Sequence, residues 1–276
     1  MTKEKIEDKQ KVEDEYAEVP EEVLDEEELQ ELEEVKKETE ERVNGDSKPK
    51  RRLSREEEEK EALNRWNPKT KLGADVRNHK IKNIDEILGA KKKILESEIV
   101  DSLLNLKSDL ISIGQSKGKF GGGKRRAWRQ TQRKTKEGNV PTFSTMAVVG
   151  DGNGHVGIGT GRAKETLPAR DKAARQAKLN IIKITRDCAG FDCSCKDKHS
   201  VPFKVTGKAG SVSVTLIPAP QGTGLVVGGE LKKVLTLAGI KDVYSRTTGH
   251  KKTTFNLVKA CIEALKKTNR MEGVGK

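Results

Sequence analysis

The run Val149-Gly150-Asp151-Gly152-Asn153-Gly154-His155-Val156-Gly157-Ile158-Gly159 decides how the middle of the chain folds. Asp-Gly and Asn-Gly tolerate the positive φ of a tight hairpin turn. Before the turn stands the apolar run Met146-Ala147-Val148-Val149, and after it Val156, Ile158 and Thr160 alternate with glycines. Two strands joined at 151–154 follow from this pattern. The same glycines match G-x-G-x-x-G over 152–157. They lead into a strand, however, so no helix N-terminus is available to hold a pyrophosphate.

Working outward, Phe143, Ser144 and Thr145 extend the first strand, and Ile111-Ser112-Ile113 predicts an earlier short strand ending at Gly114. Ala163 to Ile184 predicts mainly a helix, with Pro168 tolerable in its first turn. Leu167, Ala174, Ala177, Leu179 and Ile182 lie mostly on one side of it. Short helices are expected around Ile84, Ile87 and Leu88 and around Ile99, Val100, Leu103 and Leu104. Trp66 to Gly73 is expected to be extended, because Pro68 disfavours a helical predecessor. The order is helix, strand, strand, strand, helix. A second unit opens with Val201, Phe203 and Val205 alternating, a turn at Gly207 to Gly210, and a return strand at Val212, Val214 and Leu216. A Pro/Gly loop from Pro218 to Gly229 precedes a helix over 230–237, a short strand at Val243-Tyr244-Ser245 and a last helix over 253–267. The fold class is α+β.

The chain has 276 residues and a formal net charge of +12, with 33% hydrophobic and 3% aromatic residues. Residues 1–46 carry 20 acidic and 7 basic residues, so the body carries a net +25. The acidic tail is too poor in large apolar residues to fold alone. The basic body calls for a polyanion, nucleic acid first. The start MTKEKIEDKQ has no apolar signal core, and no apolar run approaches the ~20 residues of a membrane span. Four cysteines in a chain of this length are not a disulfide scaffold. They point to a reducing compartment, with thiols as metal ligands or free.

Lys117 to Lys136 holds nine basic and no acidic side chains: Lys117, Lys119, Lys124, Arg125, Arg126, Arg129, Arg133, Lys134 and Lys136. Gly121-Gly122-Gly123 allows close backbone approach, and Phe120 and Trp128 offer flat faces for bases or guanidinium groups. We expect a projecting RNA-binding loop, joined by basic residues of the 163–184 helix. The G-x-x-x-x-G-K match at 118–124 has Arg125 where a Mg²⁺-binding hydroxyl is required. Cys188-x₄-Cys193-x-Cys195-x₃-His199 offers three thiolates and an imidazole, the donor set of one structural zinc. The other reading of these residues is free thiols in a tight loop. No nucleophile elbow or paired carboxylates mark a catalytic centre, so no enzyme is expected.

Several motifs together resemble the small-subunit ribosomal protein five family: the 149–159 run, Val205-x-Gly207-Lys208-x-Gly210-Ser211-Val212, Pro218-Ala219-Pro220-x-Gly222-Thr223-Gly224 and Leu237-Ala238-Gly239-Ile240-Lys241-Asp242-Val243. Trp66-x-Pro68-Lys69-Thr70-Lys71-Leu72-Gly73 and the Cys/His cluster resemble the archaeal and eukaryotic branch, most like the archaeal type. The resemblance implies a double-stranded-RNA-binding-like domain over 108–186 and a second α+β domain over 200–276. Before them come a disordered tail over 1–60 and an extended and helical extension over 61–107, and the 187–199 Cys/His loop lies between them. It implies a cytoplasmic constituent of the small ribosomal subunit that binds ribosomal RNA, with Arg162 and Lys164 added to the basic set. It also implies a place near the mRNA entry channel, a part in translational accuracy, contact with small-subunit proteins four and eight, and a protein interface at Gly222, Thr223 and Gly224. The alternatives are a free double-stranded-RNA-binding regulator and a nucleotide-dependent enzyme.

Overall fold

The computed structural model describes residues 63–90, 92–116, 125–188, 195 and 197–269. The expected acidic tail, Lys117, Lys119, Phe120, Gly121, Gly122, Gly123, Lys124 and Cys193 lie outside them.

Three short helices lead in: α1 (Lys71–Arg77), α2 (Ile84–Gly89) and α3 (Ser97–Leu103). The Trp66–Gly73 segment is therefore non-helical only up to Thr70, whose hydroxyl accepts the Gly73 amide as an N-cap. Glu96 ties this lead-in together, accepting from Trp66 Nε1 at 2.8 Å and from the Thr70 amide at 2.7 Å. Burial opposes ionisation of Glu96, but these hydrogen bonds outweigh it and lower its pKa. Val76, Ile84, Ile87, Ile99 and Val100 form a satellite core with Ile181.

The first sheet contains β1 (Lys107–Leu110), β2 (Trp128–Thr135), β3 (Gly138–Gly150), β4 (His155–Ala163) and β5 (Ile181–Lys183), with α4 (Thr166–Leu179) on one face. β1 and β2 share one edge of β3, pairing with 147–150 and 138–145 respectively. The expected helix, strand, strand, strand, helix order is present as α3, β1, β3, β4 and α4, with β2 inserted. β2 corrects the expected loop: its residues are almost all polar, so no apolar alternation announced it. The early strand lies just before Ile111-Ser112-Ile113, because the Ser112 amide leaves the ladder and donates to Glu230 Oε2 at 2.8 Å. The expected 163–184 helix is shorter. β4 runs on to Ala163, Asn180 caps the helix, and Ile181 and Ile182 pair with β4. Its buried stripe is Ala169, Ala173 and Ala177, while Leu167 is 65% exposed.

That alanine stripe explains the β4 glycines. A Cβ on Gly157, Gly159 or Gly161 would collide with the backbone of Ala177, Ala173 or Ala169 respectively. Glycine every second residue on the strand thus meets alanine every fourth on the helix, and the two backbones close on each other.

The second sheet, ordered β6-β7-β9-β8, contains β6 (Val205–Ala209), β7 (Val212–Pro218), β8 (Leu225–Val226) and β9 (Val243–Thr248). α5 (Gly229–Leu237) links β8 to β9, which pair in parallel, and α6 (Thr254–Thr268) packs on β6 and β7. The strand expected over 201–205 starts at Val205, and the turn falls at Gly210, φ +59°, rather than from Gly207. One apolar core joins Met146, Val148 and Val156 of the first sheet to Leu231, Leu235, Val258 and Leu265 of the second unit. Arg186 adds a polar tie, donating to the carbonyls of Gly152 and Gly239 at 3.1 Å each and of Asn153 at 2.8 Å.

Candidate nucleic-acid interface and metal centre

β3 pairs with β4 only from Phe143 onward, whereas β2 accompanies it out to Gly138. Residues 131–142 therefore project as a two-stranded ribbon about 17 Å long. In register, Arg129, Ser144 and Arg162 lie side by side across β2, β3 and β4. Directly paired residues share a face, so Arg129, Arg133 and Arg162 stand on the face away from α4. Trp128, Thr145 and Gly161 share the other face, where Thr145 meets α4.

Arg125, Arg126, Arg129, Arg133, Lys134, Lys136, Arg162 and Lys164 are all exposed. Among the described residues, no carboxylate pairs with any of them. Ser116 and Arg125 form an isolated bridge, and Gly114 donates to the Arg126 carbonyl at 2.8 Å, closing the base of the 117–124 segment. Trp128 is half-buried, with the Arg170 guanidinium 5.3 Å above its ring, so one face is occupied from within the chain.

Lys259 was not identified from the sequence. It is exposed between buried Val258 and Ala260, and with Phe255 it lines a cleft shared with Ser144, Thr160 and Arg162. Its signal in the sequence is the polar stripe Lys259, Glu263, Lys266 and Lys267 on a helix whose other residues are buried or half-buried.

Cys188, Cys195 and His199 come together, with their ligand atoms all within 4.8 Å of one another. The two sulfurs are 3.4 Å apart. The backbone bridge between Asp187 and Ser200 closes this loop at its neck. His199 is buried, and its Nδ1 stands 2.8 Å from Asp242 Oδ2 without linear hydrogen-bond geometry. The donor set, soft sulfur plus imidazole, suits zinc. The sequence did not single out Asp242 for this site: it is 43 positions beyond His199 and belongs to no ligand spacing. Cys261 is a core residue of α6, and burial pushes its thiol up to about 12.

At the Pro/Gly loop, Gly222 and Gly224 have φ +90° and +70°, and a Cβ on either would meet nothing within 4 Å. The Gly224 amide donates to Asp242 Oδ1 at 2.8 Å, and its carbonyl accepts from the Val243 amide at 3.2 Å. Thr223 donates its hydroxyl to the Pro220 carbonyl at 2.8 Å.

Two family models match, "Ribosomal protein S5, N-terminal domain" over residues 127–185 and "Ribosomal protein S5, C-terminal domain" over 207–276. The chain is 49% identical over 210 residues to the small ribosomal subunit protein uS5 of Nanoarchaeum equitans, covering 76% of this chain and 90% of that one. The uS5 proteins of Thermofilum pendens and Picrophilus torridus are 46% and 47% identical over 204 residues, 74% of this chain in each case and 94% and 86% of theirs. With two domain models matched in order and archaeal relatives covered almost end to end, the chain belongs to the ribosomal protein S5 family.

Proposed function

We propose that this chain is a structural constituent of the small ribosomal subunit in the cytoplasm, bound to ribosomal RNA through the 131–142 ribbon and the sheet face at its base. The observation that carries this is the row Arg129, Ser144, Arg162 beside Arg133, three exposed guanidinium groups with no acidic partner among the described residues. Like charges so placed repel one another until phosphates neutralise them. Lys117, Lys119, Lys124, Arg125, Arg126, Trp128, Lys134, Lys136 and Lys164 extend the interface. The role is structural rather than catalytic. The protein lies near the mRNA entry channel, touches small-subunit proteins four and eight, and contributes to translational accuracy, with Gly222, Thr223 and Gly224 at a protein contact. Family membership supports this part of the proposal.

Replacing Arg129, Arg133 and Arg162 together by Ala tests it. Binding to salt-washed small subunits weakens, and the slope of log affinity against log salt falls by about two to three. An unchanged slope would remove the ribbon from the interface. Failure to sediment with small subunits in high salt would favour a free double-stranded-RNA-binding regulator.

Cys188, Cys195 and His199 hold one structural zinc in this proposal, with Cys193, outside the described residues, as fourth ligand. Such an ion closes a loop that has little apolar content of its own. Elemental analysis of the purified protein shows one zinc per chain, and Cys195→Ser lowers that content. A metal-free wild-type protein with normal protease resistance over 187–200 would establish the free-thiol alternative.

A further inference from the structure

We infer that the metal centre sets the shape of residues 219–224 in the Pro218–Gly229 loop, with Asp242 as the positioning residue between them. This rests on the zinc assignment above. Asp242 is only 4% exposed, and each of its carboxylate oxygens has a close polar neighbour. Oδ2 stands 2.8 Å from His199 Nδ1, and Oδ1 accepts the Gly224 amide at 2.8 Å. Among the described residues, the one cationic or polarisable group beside this buried carboxylate is the His199 ring. A buried carboxylate needs such a partner, because burial without compensation is costly.

With Nδ1 placed 2.8 Å from Asp242 Oδ2, Nε2 is the ring nitrogen left to hold a metal. A metal on Nε2 would fix the tautomer with its proton on Nδ1 and make that proton the partner of the adjacent carboxylate. The backbone reinforces the same link. The His199 carbonyl accepts the amides of Lys241 and Asp242 at 2.8 and 3.2 Å. The Ser200 hydroxyl donates to the Asp242 carbonyl at 2.6 Å and accepts the Ala219 amide at 3.3 Å. Residues 199–200, 219–224 and 241–243 thus form one polar knot, with the metal ligands at one end and the loop glycines at the other.

Beyond Gly224 the loop is held by the pairing of β8 with β9, and Thr223 turns back on the Pro220 carbonyl, so the stretch the knot can shape is 219–224. Gly222 and Gly224 have open space where a Cβ would stand, so packing does not dictate their conformation. Their shape depends on the anchors at Ala219, Gly224 and Val243, and two of these run through Ser200 or Asp242. Occupancy of the metal centre therefore orders the loop, and linkage requires the converse: a strained loop weakens the metal.

The test uses the full-length protein, zinc(II), a competing chelator and hydrogen exchange resolved to residues 219–226. Zinc removal raises exchange at Gly224 at least tenfold, with α6 unchanged. Asp242→Asn lowers zinc affinity by about 10- to 100-fold, as expected for a carboxylate partner of a ligating histidine. Gly224→Ala, which touches no ligand, lowers zinc affinity severalfold and so reports on the coupling even where Asp242→Asn fails to fold. Tight zinc binding with identical loop exchange in both forms, or with unchanged affinity in Gly224→Ala, overturns the coupling and leaves the zinc site standing. Absence of zinc binding in the wild-type protein overturns the zinc assignment itself, and the coupling with it.

Discussion

Thr145 donates its hydroxyl to the carbonyl of Ala169 at 2.7 Å, across a seam between β3–β4 and α4 that leaves no room for further side-chain atoms. The helix is held so close that its carbonyls reach the strand, and a buried threonine satisfies one of them. The seam orients α4 and keeps Arg162 on the opposite face of the sheet.

Gly159→Ala breaks this seam. The added methyl meets the backbone of Ala173 and Ala177, which cannot rotate away. Denaturant unfolding shows a loss of about 3 kcal/mol. Gly89→Ala is the control: a methyl there meets nothing within 4 Å. It is neutral or stabilises by up to about 1 kcal/mol. Equal effects of the two substitutions would refute the close-approach account.

His155 makes stability depend on pH. Its Nδ1 is 2.6 Å from Asp151 and its Nε2 2.9 Å from Asp85 of α2, and Lys183 also reaches Asp85 at 3.2 Å. The bond to Asp151 raises the His155 pKa above its ordinary 6.5; burial opposes the shift and Asp85 adds to it. This stabilisation is full below about pH 6.5 and is lost as pH rises through the raised value. Burial works against ionisation of both aspartates, yet their bonds to His155, helped by Lys183 at Asp85, lower their pKa values. That contribution is lost only as pH falls through the lowered carboxylate values. Melting temperature therefore declines on the alkaline side of the imidazole range, and His155→Gln flattens the decline. A wild-type profile flat from pH 6 to 9 would contradict the clamp.

Trp128→Ala lowers the stability of the isolated protein, because Arg170 lies over the ring and its buried Nε has no hydrogen-bond partner. A double-mutant cycle with Arg170→Ala gives a coupling of about 1 kcal/mol. Zero coupling would leave Trp128 available to RNA on both faces.

Gly224 separates backbone from interface. Gly224→Ala costs about 1 kcal/mol because its φ is +70°, with no collision to add to it. Gly224→Arg has a similar cost in the isolated protein, and under the proposed protein contact it also changes misreading of near-cognate codons. If both lower the melting temperature equally and decoding accuracy is unchanged, the glycine serves the backbone alone.

Much of the architecture was legible in local sequence. The 151–154 hairpin follows from Asp-Gly-Asn-Gly, α6 from its apolar spacing, and the family from motifs occurring in order. The basic residues and the Cys/His donors also stood out, because charge and ligand type are properties of single residues. β2 was hidden because its partners lie across a hairpin and its faces bury almost nothing, so hydrogen bonding to β3 alone makes it a strand. The extent of α4 was decided where Ile181 found a place in the sheet and in the satellite core. The three glycines of β4 become intelligible only beside the three alanines of α4, and Asp242 only where the fold sets it between His199 and Gly224. Local pattern carries periodicity, turn chemistry and charge, whereas close approach and long-range hydrogen bonding exist only between segments that folding brings together.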